Sequence, residues 1–225
     1  MDLPFEQFPA LSAVKICHHV FAQRIPGIDV SQDKAEVLER LDGAHREIRN
    51  ATRFRDWPLF AAEQVHGNRI AVIDSCSRSA VGREFSACDG IITNQRGVAL
   101  GIYVADCCAV YIVDPKTPAI GLVHSGRKGT ELDVVTSAIR QMIQLFGSDP
   151  ANMIVQLSPC IRPPQYEVDF ASEIIRQCRA VGVQHIHDSG TCTASDLGHY
   201  YSYRAEKGKT GRMLAVLGLN PTIAN

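Results

Sequence analysis

The sequence has no CxxC pair, no apolar run long enough to cross a bilayer, and no excess of charge of either sign. Its 23 lysines and arginines against 24 aspartates and glutamates leave a formal net charge of -1. No global basic field therefore draws the chain to nucleic acid or to an anionic membrane, and neither is expected as a partner. The longest stretch of apolar residues and glycine, Val98 to Ala105 with Gly97 before it, falls far short of the roughly 20 residues of a membrane helix. Asp2, Pro4 and Glu6 stand where a signal peptide would carry positive charge and an apolar core, so a cytoplasmic location is expected. No repeat, low-complexity tract or Pro/Gly/Ser-rich linker interrupts the 225 residues. A single domain spanning residues 1–225 is the simplest expectation, with a core that needs no covalent staples.

Cysteine, by contrast, is plentiful: eight thiols, at positions 17, 76, 88, 107, 108, 160, 178 and 192. A chain of this length with 45% hydrophobic residues does not need a disulfide scaffold, and most of these thiols are expected to be small buried apolar groups. A metal site would have to draw its ligands from distant segments.

The hydrophobic pattern mixes two periods. Ser31 is placed as the N-cap of a helix whose Val37, Leu38, Leu41, Ala44 and Ile48 recur at helical spacing. Asn68–Asp74 alternates as a strand does, and Val98–Val104, Ala109–Val113 and Ala119–Val123 are short Val/Ile-rich runs that read as buried strands. One long helix is expected over Thr130–Phe146, with Leu132, Val135, Ile139, Met142 and Phe146 on one face and Gly147 closing it, and another over Ser172–Val181, with Ile174, Ile175, Cys178 and Val181 on its buried side. Met153–Leu157 reads as a strand. Lys207–Lys209 around Gly208 reads as a hairpin turn leading into a last strand at Arg212–Leu217. Strands outnumber helices and cluster, which favours an α+β sandwich over a doubly wound sheet.

Three segments carry residues suited to chemistry. In His124-Ser125-Gly126-Arg127-Lys128-Gly129-Thr130 a strand meets a glycine-rich turn and a helix start. Free N–H groups beside two cations would cradle an anion there, although the joint also reads as an ordinary turn with solvated basic residues. Ala105-Asp106-Cys107-Cys108 is a short polar break between two apolar strands, which puts Asp106 and Cys107 at a strand end, or else marks two thiols buried at a turn. Gln64-Val65-His66-Gly67 is a polar turn in which His66 is not a core filler, though a surface position fits equally. His185 and His187 alternate on one strand face and read as a half-exposed edge before they read as a metal pair. Taken together, His66, Cys107 and His124 offer two imidazoles and a thiolate. Zinc accepts such N and S donors in tetrahedral geometry and keeps a fourth position for water, whose pKa falls to roughly 7.

The same motifs recur as an ordered set. Gln64-Val65-His66-Gly67, Asp89-Gly90-Ile91-Ile92-Thr93, Ala105-Asp106-Cys107 and His124-Ser125-Gly126 are followed by Ser158-Pro159-Cys160-Ile161 and Tyr166-Glu167-Val168. Cys192-Thr193, Tyr201-Ser202-Tyr203-Arg204 and Thr210-Gly211-Arg212 close the series, and His19-Val20-Phe21 with Arg24 opens it. From about His19 to Leu217 the chain resembles the laccase-domain family. The resemblance implies a four-layered α/β/β/α sandwich related to cysteine hydrolases. It also implies purine nucleoside phosphorylase activity, with adenosine deamination and methylthioadenosine phosphorolysis beside it, in a family first described as multi-copper polyphenol oxidoreductases. By resemblance His66, Cys107 and His124 are the zinc ligands and the catalytic residues. Arg24, Gln64, Asp89, Arg127 and Arg204 are the expected substrate-binding residues, with Arg24, Arg204 and the turn after His124 meeting phosphate. Zinc is favoured over copper, and the expected partners are a small nucleoside and phosphate, bound by a monomer or small homo-oligomer. Two other enzymes stay open: a hydrolase with Cys107 as nucleophile and His124 as base, and a copper-dependent polyphenol oxidase.

The chain departs from the family pattern in places. Arg127 stands where the family has tryptophan, Ser158-Pro159 where it has Gly-Pro, and Gln165 where a second cysteine is common. The segment from Phe170 to Gly190 is short. These changes leave the metal residues in place and bear on substrate preference.

Overall fold

The computed structural model of the protein describes residues 3–77 and 83–221. The chain begins with β1 (Phe5–Glu6), α1 (Pro9–Ser12), β2 (Cys17–Ala22) and α2 (Lys34–Ala51). It continues through β3 (Leu59–Ala62), β4 (Ile70–Ile73), β5 (Glu84–Phe85), β6 (Gly90–Thr93), β7 (Ala99–Val104), β8 (Cys108–Asp114) and β9 (Ala119–Ser125). Helices α3 (Arg127–Glu131) and α4 (Val134–Phe146) precede β10 (Ile154–Leu157), α5 (Phe170–Ala180), β11 (His185–Asp188) and β12 (Met213–Leu219). The strands form two mixed six-stranded sheets, ordered β1-β2-β12-β7-β3-β5 and β11-β10-β8-β9-β6-β4.

The two sheets lie face to face, with β7 and β12 of the first over β9 of the second. Helix α2 covers the outer face of the first sheet, and α3, α4 and α5 cover the second. The result is the expected α/β/β/α order of layers. Strands β8, β9 and β12 are buried along their whole length, because each is covered on both faces. That double cover is why their sequences read as continuous apolar runs rather than alternating ones. One core runs through the first sheet: Phe21, Leu100, Tyr111, Ile120 and Leu217 fill the space between the sheets, and Val216 joins Leu41 and Ile48 of α2 on the other face. A second, with Val110, Ile139, Met142, Val155 and Ile174, seals the helices onto the outer face of the second sheet. No helix among the described residues is long and apolar enough to cross a membrane.

Several local expectations are corrected. Asp33, not Ser31, caps α2, accepting the N–H groups of Ala35 and Glu36, while Ser31 bonds Asp29 instead. The helix expected over Thr130–Phe146 is broken: α3 ends at Glu131 and Asp133 takes a left-handed φ of 56° before α4 starts. The apolar face therefore starts one turn later than its spacing predicts: Leu132 is 41% exposed at the break, while Val135, Ile139 and Met142 are buried. Gly147 does cap α4, at φ 72°. Gly208 does turn the chain, with its N–H on the Tyr203 carbonyl at 2.8 Å, but no strand precedes it, so the turn is not a hairpin. Strand β11, carrying His185 and His187, lies at a sheet edge with both imidazoles exposed. Five thiols, Cys17, Cys88, Cys108, Cys160 and Cys178, are buried, as a reading of cysteine as a small apolar residue requires.

Two imidazoles, His19 and His45, are buried in the fold. His19 is 1% exposed, and its Nε2 accepts the Phe8 N–H at 2.7 Å, so the ring must be neutral. Burial lowers the pKa of His19 and of His45, each to about 4. Between that value and the ordinary 6.5, the unfolded chain binds more protons than the native one. Stability is therefore complete above pH 6.5 and declines as pH falls toward 4, by up to about 1.4 kcal/mol per pH unit for each histidine. Urea unfolding across this range should show that slope, and His19→Gln should flatten it. An identical slope in the variant would refute the assignment.

Candidate metal centre

The chain passes from one sheet to the other through the short turn between β7 and β8, and Cys107 lies in that turn. His124 is near the end of β9, paired across the ladder with Ala109 of β8. His66 lies in the turn between β3 and β4, where its N–H meets Asp89 just before β6. Three segments distant in sequence thus meet at one end of the sheet interface.

A single carboxylate organises them. Asp89, immediately before β6, is fully buried. Its Oδ1 accepts the His66 N–H at 2.8 Å and holds His124 Nδ1 at 2.9 Å. Its Oδ2 accepts the N–H groups of Gly67 at 2.7 Å and Val65 at 3.2 Å. The backbone around them is bent for the purpose: Gln64 and His66 have φ of 59° and 60°, a left-handed conformation costing roughly 1–3 kcal/mol per residue. Successive N–H groups wrapped around an anion make a nest, and charge-assisted bonds to a carboxylate offset that strain. Burial pushes the Asp89 pKa up, but His124 and the Gly67 N–H outweigh it and the net shift is downward.

With Nδ1 on Asp89, His124 has Nε2 left for a ligand. One donor atom from each of His66, Cys107 and His124 lies within 4.8 Å of the others, and the two rings stand edge to face at 4.9 Å between centroids. Ligands on a tetrahedral zinc ion are roughly 3.4–3.8 Å apart, given its bond lengths. The donor set fits a divalent metal in chemistry and needs only small side-chain shifts in geometry, and the carboxylate behind His124 is the support such ligands require. Burial raises the Cys107 thiol pKa, but the neighbouring His124 and His66 imidazoles bring it down to about 6. Burial disfavours the His124 cation, yet the Cys107 thiolate and Asp89 lift its pKa to about 9. The trio is thus held near the thiolate state that metal binding demands.

Gly126 has a different reason to be glycine from the one its turn implies. Its φ of -104° is open to any residue, but a Cβ there would lie 2.4 Å from Cys107 Sγ. The glycine makes room for the thiol.

Above the trio opens a cavity of about 510 Å³, inside the roughly 300–1,000 Å³ typical of small-molecule sites. Gln64, Arg127 and Arg204, all singled out in the sequence, line it. Gln64 is already engaged, donating to the Tyr103 carbonyl at 2.6 Å and accepting its N–H at 2.8 Å. Arg127 pairs with Glu131 and Arg204 with Glu167. Asp89 and Arg24 are not in the lining: Asp89 lies beneath it, and Arg24 pairs with Glu206 at 2.7 Å over the Tyr201 ring at 4.4 Å. Asp106 also faces the cavity, at φ 81°, and its carboxylate accepts the Thr193 hydroxyl and the Arg204 N–H, both at 2.7 Å. Sequence reasoning gave no role to Tyr166, Phe170, Tyr203 or Arg212, which complete the walls. Three of these stood in the quoted motifs, and only their convergence marks them out.

The chain matches the family model of multi-copper polyphenol oxidoreductase laccase over residues 18–174 and 168–220. Among curated relatives it is similar to purine nucleoside phosphorylase YlmD of Bacillus subtilis (strain 168), 28% identical over 203 residues, covering 75% of this chain and 72% of that one. The purine nucleoside phosphorylase of Deinococcus radiodurans is 29% identical over 236 residues, covering 89% and 88%. Among solved structures, YlmD from Geobacillus stearothermophilus superposes with a TM-score of 0.81 over 98% of this chain and all of that one, at 22% identity, a likeness of fold.

Removing the charge of Asp89 while keeping its volume, in Asp89→Asn, should weaken metal affinity roughly 10- to 100-fold. Gly126→Ala should weaken it too, by driving Cys107 from its place. Chelator competition measures both, and wild-type affinity in Asp89→Asn would remove the carboxylate from the account of the site.

Proposed function

The chain belongs to the multi-copper polyphenol oxidoreductase laccase family, and on that premise we propose that it is a zinc-dependent purine nucleoside phosphorylase, acting in the cavity above His66, Cys107 and His124. The observation that carries this reading is the composition of the cavity wall: aromatic rings and guanidinium groups face the same space as a metal-ready N, S, N donor set. A purine is planar and apolar on its faces, and phosphate is a polyanion, so a nucleoside and phosphate call for both kinds of surface at once. The names of the relatives support the same substrate class.

Zinc is preferred to copper on the donors. A copper site of two histidines and a cysteine adds a weak axial ligand such as methionine or glutamine. No methionine lines the cavity, and the Gln64 amide is committed to Tyr103. Among the described residues the trio is also the sole cluster of three or more metal-ligating side chains, whereas a multi-copper oxidase needs several centres. A zinc ion held by the trio supplies Lewis acidity.

The residues of the chain do the rest. Tyr166 and Phe170, set edge to face at 6.2 Å between centroids, offer rings to the base and take over the part of the aromatic that Arg127 replaces. In phosphorolysis a phosphate oxygen bonds to the sugar's anomeric carbon as the glycosidic C–N bond breaks. The bonding pair leaves on the purine nitrogen, which takes up a proton. Guanidinium groups held ahead of the reaction stabilise the phosphate charge, and Gln64, Arg127 and Arg204 are the proposed substrate contacts. Asp89 and Arg24 act behind them as supports. Adenosine deamination and methylthioadenosine phosphorolysis are proposed as further reactions of the same cavity. The setting proposed is the cytoplasm, where thiols stay reduced; every described cysteine is free.

A second reading rests on one specific feature. Cys107, His124 and Asp89 form a thiol–imidazole–carboxylate relay with the thiol pKa brought down to about 6, the arrangement of a cysteine hydrolase. The metal decides between the two, because coordination would occupy the nucleophile. Zinc-loaded protein given inosine or adenosine with phosphate should release free base and a sugar phosphate. His66→Ala and Cys107→Ser should lose at least about 100-fold of that rate. Intact nucleosides after long incubation would sink the phosphorylase, and alkylation of Cys107 in the loaded protein would favour the hydrolase.

A further inference from the structure

We propose that Arg212 is the anion-binding residue of the cavity and the group that receives phosphate, an assignment that rests on the phosphorylase reading and deepens it. The cavity presents its arginines in two states. Arg127 and Arg204 have side chains 51% and 57% exposed, and each already holds a carboxylate, Glu131 at 2.9 Å and Glu167 at 2.8 Å. Arg212 is half-buried and has no carboxylate within ion-pair distance among the described residues. Its Nη1 donates to the backbone carbonyls of Thr210 at 3.0 Å and Gly211 at 2.9 Å. These neutral acceptors spend one corner of the guanidinium and fix its plane. The Nε and Nη2 donors have no protein acceptor among the described residues and neither is a buried orphan, while Arg212 lines the cavity with its guanidinium carbon 5.9 Å from the Tyr203 ring centroid.

A guanidinium taken partly out of water without an ion-pair partner is disfavoured: burial lowers its pKa, and the nearby acidic groups of Tyr203, Cys107 and Asp106 do not make up the loss. An anion arriving in the cavity relieves that cost. The remaining Nε–Nη2 edge is the planar fork that binds a phosphate through two oxygens.

The mounting of Arg212 is itself rigid. Thr210 donates its hydroxyl to Glu206 at 2.6 Å, and Glu206 is held by Arg24 at 2.7 Å. Gly211 is packed so tightly that a Cβ would meet the Tyr201 ring at 2.4 Å. The carbonyls that orient Arg212 are therefore set from behind, through Arg24, Glu206 and Tyr201. Arg24, expected from the sequence to touch phosphate, becomes a positioning residue that acts through Arg212.

Calorimetric titration of zinc-loaded protein with inorganic phosphate tests the assignment without turnover. Arg212→Ala should weaken the phosphate Kd roughly 10- to 100-fold, the value of a pair of charge-assisted bonds. Arg212→Lys, which keeps the charge and loses the fork, should recover only part of it. In turnover the phosphate KM should rise with the nucleoside KM nearly unchanged. A folded Arg212→Ala with the wild-type Kd, or an Arg204→Ala that loses phosphate while Arg212→Ala keeps it, overturns the proposal. Should Arg212→Ala fail to fold, an unchanged Kd in Arg212→Lys does the same. Phosphate binding that depends on Arg212 in a protein that leaves nucleosides intact would sink the phosphorylase and keep the anion site. Turnover with an unaltered phosphate KM in Arg212→Ala would do the reverse.

Discussion

One buried carboxylate holds the site together. Asp89 bonds the backbone of the turn that carries His66 and the ring of His124 with the same two oxygens. It therefore fixes the separation of two proposed ligands that lie far apart in the chain. Its burial would be costly for a lone charge, and four donors offset that cost. The left-handed φ at Gln64 and His66 follows from the same demand, since only that bend turns consecutive N–H groups toward one anion.

The layered fold explains why the site is where it is. Strands β7 and β8 are consecutive but belong to different sheets, so the residues between them must cross the interface in a tight turn. Cys107 rides on that turn, held at its base by Asp106, and opposes His124 on β9. The cavity opens where both sheets end, and the irregular segment from Tyr200 to Arg212 closes over it. That segment brings exposed, carboxylate-paired arginine and half-buried, unpaired arginine to the same space. The contrast in their partners, rather than their number, separates surface charge from a group prepared for an anion.

Much of the architecture is legible in the amino-acid sequence. The apolar runs at β7, β8 and β9 announced strands covered on both sides, and the helical spacing in α2, α4 and α5 announced their buried faces. Where local rules failed, packing overrode them. Leu132 fits the helical pattern, but α3 sits against β9 and α5 and the chain must turn at Asp133 before α4 can lie along the sheet. Gly208 is a sound turn residue, but a hairpin needs a strand on both sides and the sheet offers no place for the first. Ser31 and Asp33 are both acceptable caps, and the choice of Asp33 depends on where the helix is pulled by its core contacts.

The candidate donors are legible in the chain as residue types. His66, Cys107 and His124 offer the imidazoles and thiolate that metals take, but singly His66 also reads as a surface residue and Cys107 as a buried thiol, and only their approach within 4.8 Å joins them into one candidate site. Residue type and local period are properties of short segments, so a linear reading reaches them. Asp89 as a clamp, Gly126 as room for a thiol, the proposed role of Arg24 as a support and Arg212 as a cation without an ion-pair partner are relations between segments distant in the chain. A carboxylate's role depends on which N–H groups surround it, and an arginine's on whether an acid lies within reach. Both are matters of distance in space, and the folded chain alone decides them.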